Sequence, residues 1–524
     1  MPFKMLGINL IQRLRANLLN KQNLLSFFYG LSLVVAYAPF SQWWVMLLVL
    51  PLFFNSINGA NVRTATKQGF IFALGWFASG ISWVHVSIDQ FGGLPLVFSL
   101  LLMLLLCCYL ALYPALACYL SSRFSPNRQF SLWLLPPFWM ISEYFRTNVL
   151  TGFPWLSIGY SQIDGPLSSF APLVGEVGIS ALLIIISVAL INTVINSHRK
   201  IHLLLLAGIA ISGYLLTSVA WVNPTKNTVK AALVQGNIEQ SMKFEPDKEW
   251  PTMLMYLDHA RSNYDADIII WPENAITAIE PTAQDFLLLA DRSAALNNSA
   301  IITGILNYKF DSKAYFNSLV VLGKKEAADT AGHYRYDHSN RYYKNHLLPI
   351  GEFVPFGELL RTIAPIFNLP YSSFTRGDYI QQNLLANGHH ILPLICFEIA
   401  FPEQLAANFT DNTDILLTVS NDSWFGNSHG PHQHLEIARM RALEFARPLL
   451  RATNNGVTAI IDYQGNIQAK LPQFTEAVLK ADITLVKGKT FYSQYWQLIH
   501  WLLPLSLLAI FFIFQRLSPI NRKS

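Results

Sequence analysis

Charge is what this chain has least of. Asp, Glu, Lys and Arg make up 13% of its 524 residues, against 52% apolar ones. A water-soluble domain carries roughly a quarter charged residues. The deficit excludes a fully solvated globular protein and points to the bilayer. The length leaves room for a helical bundle plus one large domain. Cysteine is also sparse: Cys107, Cys108, Cys118 and Cys396 are the only four. The first three share one apolar run, where a thiol packs as a small hydrophobe. Cys396 stands alone in the polar part, which excludes a disulfide framework, a Cys-x-x-Cys redox pair and zinc spacing there. No basic run is interleaved with aromatics, so the net charge of +5 is not a nucleic-acid footprint. Nor does the first apolar run, Asn23 to Phe40, close with the small-x-small exit of a cleavable signal.

What is present instead is a series of apolar runs, near residues 23–40, 43–58, 66–86, 94–120, 129–147, 170–195, 201–221 and 494–515. A bilayer asks for about 20 residues per helix, and the pattern predicts eight transmembrane helices. The expected organisation is a seven-helix bundle over 1–221, a polar domain over 222–491, and an eighth helix with a tail over 492–524. Basic residues gather in alternate loops: Lys4, Arg13, Arg15 and Lys21; Arg63 and Lys67; Arg123 and Arg128; His198, Arg199 and Lys200; Arg516, Arg522 and Lys523. By the positive-inside rule both termini are cytoplasmic and the polar domain lies outside. Arg146, on the outer side, is a mild exception.

Within the polar domain, short strand-like runs alternate with helical patterns. Strands are expected at Val229–Val234, Asp267–Trp271, Ala300–Leu306, Ser318–Leu322, Ile391–Ile395 and Asp414–Val419, and a hairpin at Val457–Asp462 with Ile467–Ala469. Helices are expected near 246–263, 282–297 and 432–445. The alternation predicts a layered α/β domain, with polar residues just past strand C-terminal ends, where such sheets place their sites.

Three segments put an ionisable residue beside strongly apolar sequence. Ile268-Ile-Ile-Trp-Pro-Glu ends on Glu273. Arg341-Tyr-Tyr-Lys-Asn-His-Leu-Leu-Pro-Ile-Gly-Glu holds Lys344 and Glu352. Leu394-Ile-Cys-Phe-Glu-Ile holds Cys396 and Glu398. Burying such groups is costly unless they pair with one another. Their chemistry is complementary. A carboxylate can take the thiol proton as the sulfur attacks, and an ammonium can stabilise the oxyanion that develops. Glu273, Lys344 and Cys396 are therefore candidates for base, oxyanion clamp and nucleophile, with Glu352 and Glu398 supporting them. Taken singly, a lone cysteine packs as a buried hydrophobe and a Lys–Glu pair sits at the surface, and spacing alone does not join the three segments.

These segments resemble the nitrilase superfamily of carbon–nitrogen hydrolases. Together with Val234-Gln-Gly-Asn-Ile, Gly351-Glu-Phe-Val-Pro, Ser420-Asn-Asp-Ser-Trp-Phe-Gly and Arg447-Pro-Leu-Leu-Arg-Ala-Thr-Asn-Asn-Gly, and with the eight spans, they are similar to its membrane branch, the apolipoprotein N-acyltransferases. The resemblance implies a Glu–Lys–Cys triad on an αββα sandwich. It also implies a bacterial inner-membrane location with the catalytic domain in the periplasm. Cys396 would take the sn-1 acyl chain of a phospholipid, typically phosphatidylethanolamine, as a thioester. The α-amine of a diacylglyceryl-cysteine on an apolipoprotein would then receive it, with no cofactor and no metal. Two positions depart from the pattern. Phe397 follows the nucleophile where Tyr is usual, and Phe244, after Lys243, stands where Trp is expected. Both keep an apolar wall for acyl chains.

Further candidates line the substrate path. Trp155, in Gly152-Phe-Pro-Trp, reads as an interfacial anchor or as a wall of the lipid access route. Asn421, Asp422 and Trp424 follow the next strand and would border the thiol pocket. Arg447 and Arg451 are expected to pair with buried carboxylates. His429, His432 and His434 read as the start of a helix rather than as metal ligands. Two alternatives share the sequence: a membrane-tethered amidase, in which water resolves the acyl-enzyme, and a binding-only domain on a scaffold bundle. Eight spans exceed what a hydrolase of soluble amides needs, and no triad residue is missing.

Overall fold

The computed structural model describes residues 20–195, 198–243, 245–349, 351–353 and 374–517. Phe244 lies outside them. The chain divides into two compact units, one up to Val219 together with the residues from Gln497 on, the other Ala220–Trp496.

The first unit is helical. Asn20 and Asn61 cap Lys21–Ser32 and Val62–Gly80, each accepting from a backbone N–H of the first turn. These two helices meet glycine to backbone. A Cβ on Gly30 would lie 1.8 Å from the Phe72 carbonyl oxygen, and one on Gly75 2.2 Å from that of Phe27. Gln68 bridges the same pair, donating to Asn23 (2.7 Å) and accepting from Ser26 (2.8 Å). Small residues and buried amides are how helices associate where the hydrophobic effect supplies no drive.

Every predicted apolar run carries a helix, but not every helix is span-length. Among the described residues, four are long and apolar enough to cross a membrane: Leu96–Arg123, Ser168–Ile195, Arg199–Leu216 and Phe491–Ile513. A fifth results if Val62–Gly80 and Val84–Gln90, bent by 58°, are one span. Hydropathy counts apolar residues and overlooks what interrupts a helix. The run 129–147 spends its start on the turn Leu132–Leu134, so its helix, with Pro136 and Pro137 in its first turn, covers only Leu135–Asn148. In the run 23–40 the helix tightens to a 3₁₀ turn at Leu33–Ala36 and stops before Pro39.

Arg146 is a correction of another kind. It is buried, pairs with Glu143, and donates to the carbonyls of Phe153 (2.7 Å) and Trp155 (2.6 Å). It is an interior pin for the turn at Gly152 (φ +80°), not a loop charge.

Among the described residues, the second unit has thirteen strands: β1 Val222–Gln235, β2 Ile268–Ile270, β3 Ile276–Ile279, β4 Ala300–Lys309, β5 Ala314–Gly323, β6 Arg341–Tyr343, β7 Leu384–Ala386, β8 His389–Ile395, β9 Ile415–Ser420, β10 Leu449–Thr453, β11 Ala459–Ile461, β12 Ile467–Lys470 and β13 Ala477–Gly488. One sheet runs β13-β1-β2-β4-β5-β6, with β3 also on β4; the other runs β12-β11-β10-β9-β8-β7. Their centres, β1-β2-β4 and β8-β9-β10, are parallel. Such strands are buried on both faces, and period two decides which side chain goes where. Val229, Ala231 and Leu233 join Ile391, Ile395, Leu417 and Val419 in the core between the sheets. Ala232 and Val234 face the other way, onto Tyr256, Leu257, Phe286 and Leu287. Those residues come from helices Pro246–Arg261 and Gln284–Leu296. With Pro402–Asn408 and Gly430–Phe445 against the second sheet, the order is helix, sheet, sheet, helix.

Candidate active site

Three of the predicted residues lie just past strand ends. Glu273 follows β2, and its turn is possible because β4 carries Gly304. A Cβ there would sit 2.4 Å from the Asn274 N and 2.8 Å from the Glu273 Cα. Lys344 follows β6, and Cys396 follows β8, opening the turn Cys396–Ala400 with φ +54°. A non-glycine residue in that region is held there by its surroundings, a pattern that concentrates at reactive sites.

The Lys344 ammonium, buried, lies 2.9 Å from Glu352 and 3.6 Å from Glu273. Asn317 on β5 donates to both carboxylates, at 2.8 and 3.0 Å. The backbone N–H of Asn421 donates to the other oxygen of Glu273 at 2.9 Å. Burial alone would lower the Lys344 pKa, but the charges of Glu352 and Glu273 outweigh it and hold the ammonium well above its ordinary value. Cys396 goes the opposite way. Burial, then Glu273, push its thiol up to about 12, although Lys344 and the Ser420 hydroxyl pull it down. The resting sulfur is thus a neutral thiol beside a carboxylate and a fixed cation. It reacts only as its proton is taken.

Glu398 does not touch Lys344. Buried, it accepts from Ile395 N (2.8 Å), Asn345 N (2.8 Å), His346 N (3.0 Å), Tyr342 Oη (2.9 Å) and Gln404 Nε2 (3.0 Å). It ties the strand before the thiol to the segment after Lys344. Phe397 is buried against His346 and Phe401. Trp424 is partly exposed at the turn Asp422–Phe425.

Trp155 belongs to the helical unit, where it is buried against Trp83 and Phe153. An interfacial anchor needs a wet edge, so that reading is corrected. Of the two arginines, Arg451 pairs with Asp422 at 2.6 Å as expected. Arg447 instead donates to the carbonyls of Thr413, Ala446 and Gly488 and stacks on Phe409. His434 lies inside helix Gly430–Phe445, against Asp422 (3.3 Å) and the Cys396 carbonyl (3.1 Å).

Two contributors escaped sequence reading. Asn317 sits mid-strand with no motif around it. Lys243 is a buried ammonium that donates to the Glu273 carbonyl at 3.1 Å; its only signal was a lysine beside an aromatic. Burial pushes Lys243 down to about 8, with Glu273 resisting. Between that value and the ordinary one near 10.4, the unfolded chain holds a proton that the folded chain has released. Stability therefore rises with pH across this window, and the penalty is fully present below it. Lys243→Met is expected to melt higher than the parent at pH 7.5, by on the order of 1–2 kcal/mol after the lost hydrogen bond. The gain should vanish by pH 10.5. A variant that melts lower at pH 7.5 contradicts the assignment.

Comparison with known proteins adds three kinds of match. The model of the carbon-nitrogen hydrolase family matches residues 230–491, and that of the apolipoprotein N-acyltransferase N-terminal domain matches residues 29–189. The apolipoprotein N-acyltransferase of Shewanella oneidensis is 49% identical over 475 residues, covering 90% of this chain and 91% of that protein. The one from Vibrio cholerae is 50% identical over 469 residues, covering 89% and 92%, and the one from Haemophilus ducreyi 38% over 501, covering 94% and 96%. The solved structure of Saccharomyces cerevisiae Nit3, of the nitrilase superfamily, overlays 53% of this chain and 96% of its own at a TM-score of 0.36 and 15% identity.

Proposed function

Because the chain belongs to the apolipoprotein N-acyltransferase family, we propose that it moves an acyl chain from a phospholipid to a lipoprotein amine in two half-reactions at Cys396. In the first, Glu273 takes the thiol proton as Sγ attacks the sn-1 ester carbonyl. The tetrahedral oxyanion faces the Lys344 ammonium. Collapse forms the thioester and expels the lysophospholipid alkoxide, which takes the proton from Glu273. In the second, the α-amine of a diacylglyceryl-cysteine attacks the thioester carbonyl and passes a proton to Glu273. The amide forms, and the sulfur leaves and is reprotonated.

The observation that carries this reading is the pairing of a neutral thiol with a carboxylate and a permanent cation, in a chain whose other unit is made of apolar helices. The charge on Lys344 is in place before any oxyanion forms, so little reorganisation is needed at the moment of reaction. On this reading the enzyme sits in the bacterial inner membrane with eight spans, cytoplasmic termini and a periplasmic catalytic domain. Phosphatidylethanolamine is the donor. Asn421, Trp424 and Phe397 border the acyl chains. The test is incubation of the purified protein with phosphatidylethanolamine labelled in the sn-1 chain and a diacylated lipopeptide. Label on the lipopeptide amine is the expected result; release of free labelled fatty acid alone would mean that water resolves the acyl-enzyme.

A further inference from the structure

The proposed triad leaves one group on the reacting sulfur without a task. Ser420, the buried last residue of β9, places its Oγ 3.3 Å from the Cys396 Sγ and 2.6 Å from the Asp422 Oδ1. A hydroxyl carries one proton and cannot donate to both. Which acceptor holds it depends on charge, since hydrogen bonds to ionised acceptors are the stronger ones. Burial raises the Asp422 pKa, but Arg451 and His434 outweigh it and keep the carboxylate ionised, well below its usual range. Against a neutral thiol, Asp422 wins the proton at the shorter distance. Against a thiolate the balance changes. Asp422 keeps Arg451 at 2.6 Å when the serine turns away. The sulfur has no such reserve: among the described residues Ser420 is its one hydrogen-bond donor.

The geometry points to Ser420 as a further catalytic residue, which turns its O–H from Asp422 to the Cys396 sulfur each time that sulfur carries negative charge. This happens twice per turnover: when the thiol loses its proton to attack the phospholipid ester, and when the thiolate leaves as the amine displaces it. The O–H bond stays intact; only its acceptor changes. Asp422, Arg451 and His434 are then positioning residues. Asp422 and Arg451 hold the serine, and His434 holds the Cys396 carbonyl at 3.1 Å in the φ +54° turn. The inference rests on Cys396 as the nucleophile.

The experiment uses the full chain in detergent, with Ser420→Ala, Ser420→Thr and Cys396→Ala beside the parent. Single-turnover labelling by sn-1-labelled phosphatidylethanolamine reads thioester formation, and a chase with diacylated lipopeptide reads its resolution. For Ser420→Ala both rates are expected to fall roughly 10- to 100-fold, the range of one hydrogen bond to a charged group. The KM for phospholipid should stay unchanged. Ser420→Thr, which keeps the hydroxyl, should recover most of the loss. Alkylation of Cys396 by iodoacetamide at pH 7.5, read by mass spectrometry of its peptide, needs the thiolate but no substrate, and should slow by a similar factor in Ser420→Ala. Parental rates in Ser420→Ala overturn the inference. So does a fall in acylation with alkylation unchanged, or a threonine variant as slow as the alanine one. Labelling of Cys396→Ala would instead overturn the nucleophile reading, whatever Ser420 does.

Discussion

Cys396→Ser is expected to yield a folded protein in which no phospholipid-derived acyl-enzyme is seen by mass spectrometry and transfer falls at least about 1,000-fold, as when other covalent nucleophiles are removed. The two side chains differ by one atom, and the turn is held by backbone and by Glu398 rather than by sulfur. Stability should therefore change little. Reactivity should collapse, because a hydroxyl is much harder to ionise than a thiol, and this site already pushes the thiol up to about 12. A carboxylate at Glu273 receives the proton but cannot make an alkoxide of serine at useful rates without a matched base. Glu273→Gln should also block thioester formation. Its amide would aim N–H groups at Asn317, Lys344 or the Asn421 N–H, all of which already donate. Full acylation of the serine variant, or a Glu273→Gln variant that forms the thioester and stalls only at resolution, would sink these roles.

The second large effect is structural. Glu398→Gln keeps shape and removes charge, yet it is expected to cost about 2–4 kcal/mol, read as a lower melting temperature together with lost acylation. Both carboxylate oxygens accept only donors, from Ile395, Asn345, His346, Tyr342 and Gln404. Whichever way the amide turns, its N–H₂ meets at least one backbone N–H, and an unsatisfied buried donor carries its full desolvation cost. The loss of activity follows from geometry, because Glu398 couples the backbone before Cys396 to that after Lys344. Melting and acylation both equal to the parent's would show that the coupling is dispensable.

Much of this site was legible beforehand for one reason. Glu273, Lys344 and Cys396 each interrupt apolar sequence, and interrupted apolar sequence signals a buried charge in need of company. Glu352 is the expected neighbour of Lys344, whereas Glu398 spends its hydrogen bonds on the backbone, Tyr342 and Gln404. Strands with their own apolar run, such as β2, β4 and β9, were readable from period and composition. β3, β6 and β7 are three- or four-residue pieces held by pairing with longer neighbours, and nothing local announces them. β13, at the sheet edge, mixes polar and apolar residues. Asn317 and Lys243 show the same limit at the site. A side chain whose role is to bridge two others becomes visible only when those two are in place. Between apolar runs and span-length helices the difference has another cause. Hydropathy is additive, but a helix is cooperative and ends at turns that a window averages away.

The pairing of β1 with β13, from Val222 with Gly488 to Gln235 with Ala477, has a consequence for how the protein is made. A chain emerging from the ribosome has β1 long before it has β13. Until then β1 can use only its other edge, where β2 lies. Closing so long a loop is entropically costly and slow. Completion of this sheet therefore waits for nearly the last polar residue of the domain. β1 leads directly into Asn237 and Ile238, which lean on Asn454, and on to Lys243 behind Glu273. The segment that carries Asn237, Ile238 and Lys243 thus extends from a strand whose second edge stays open until β13 has been made.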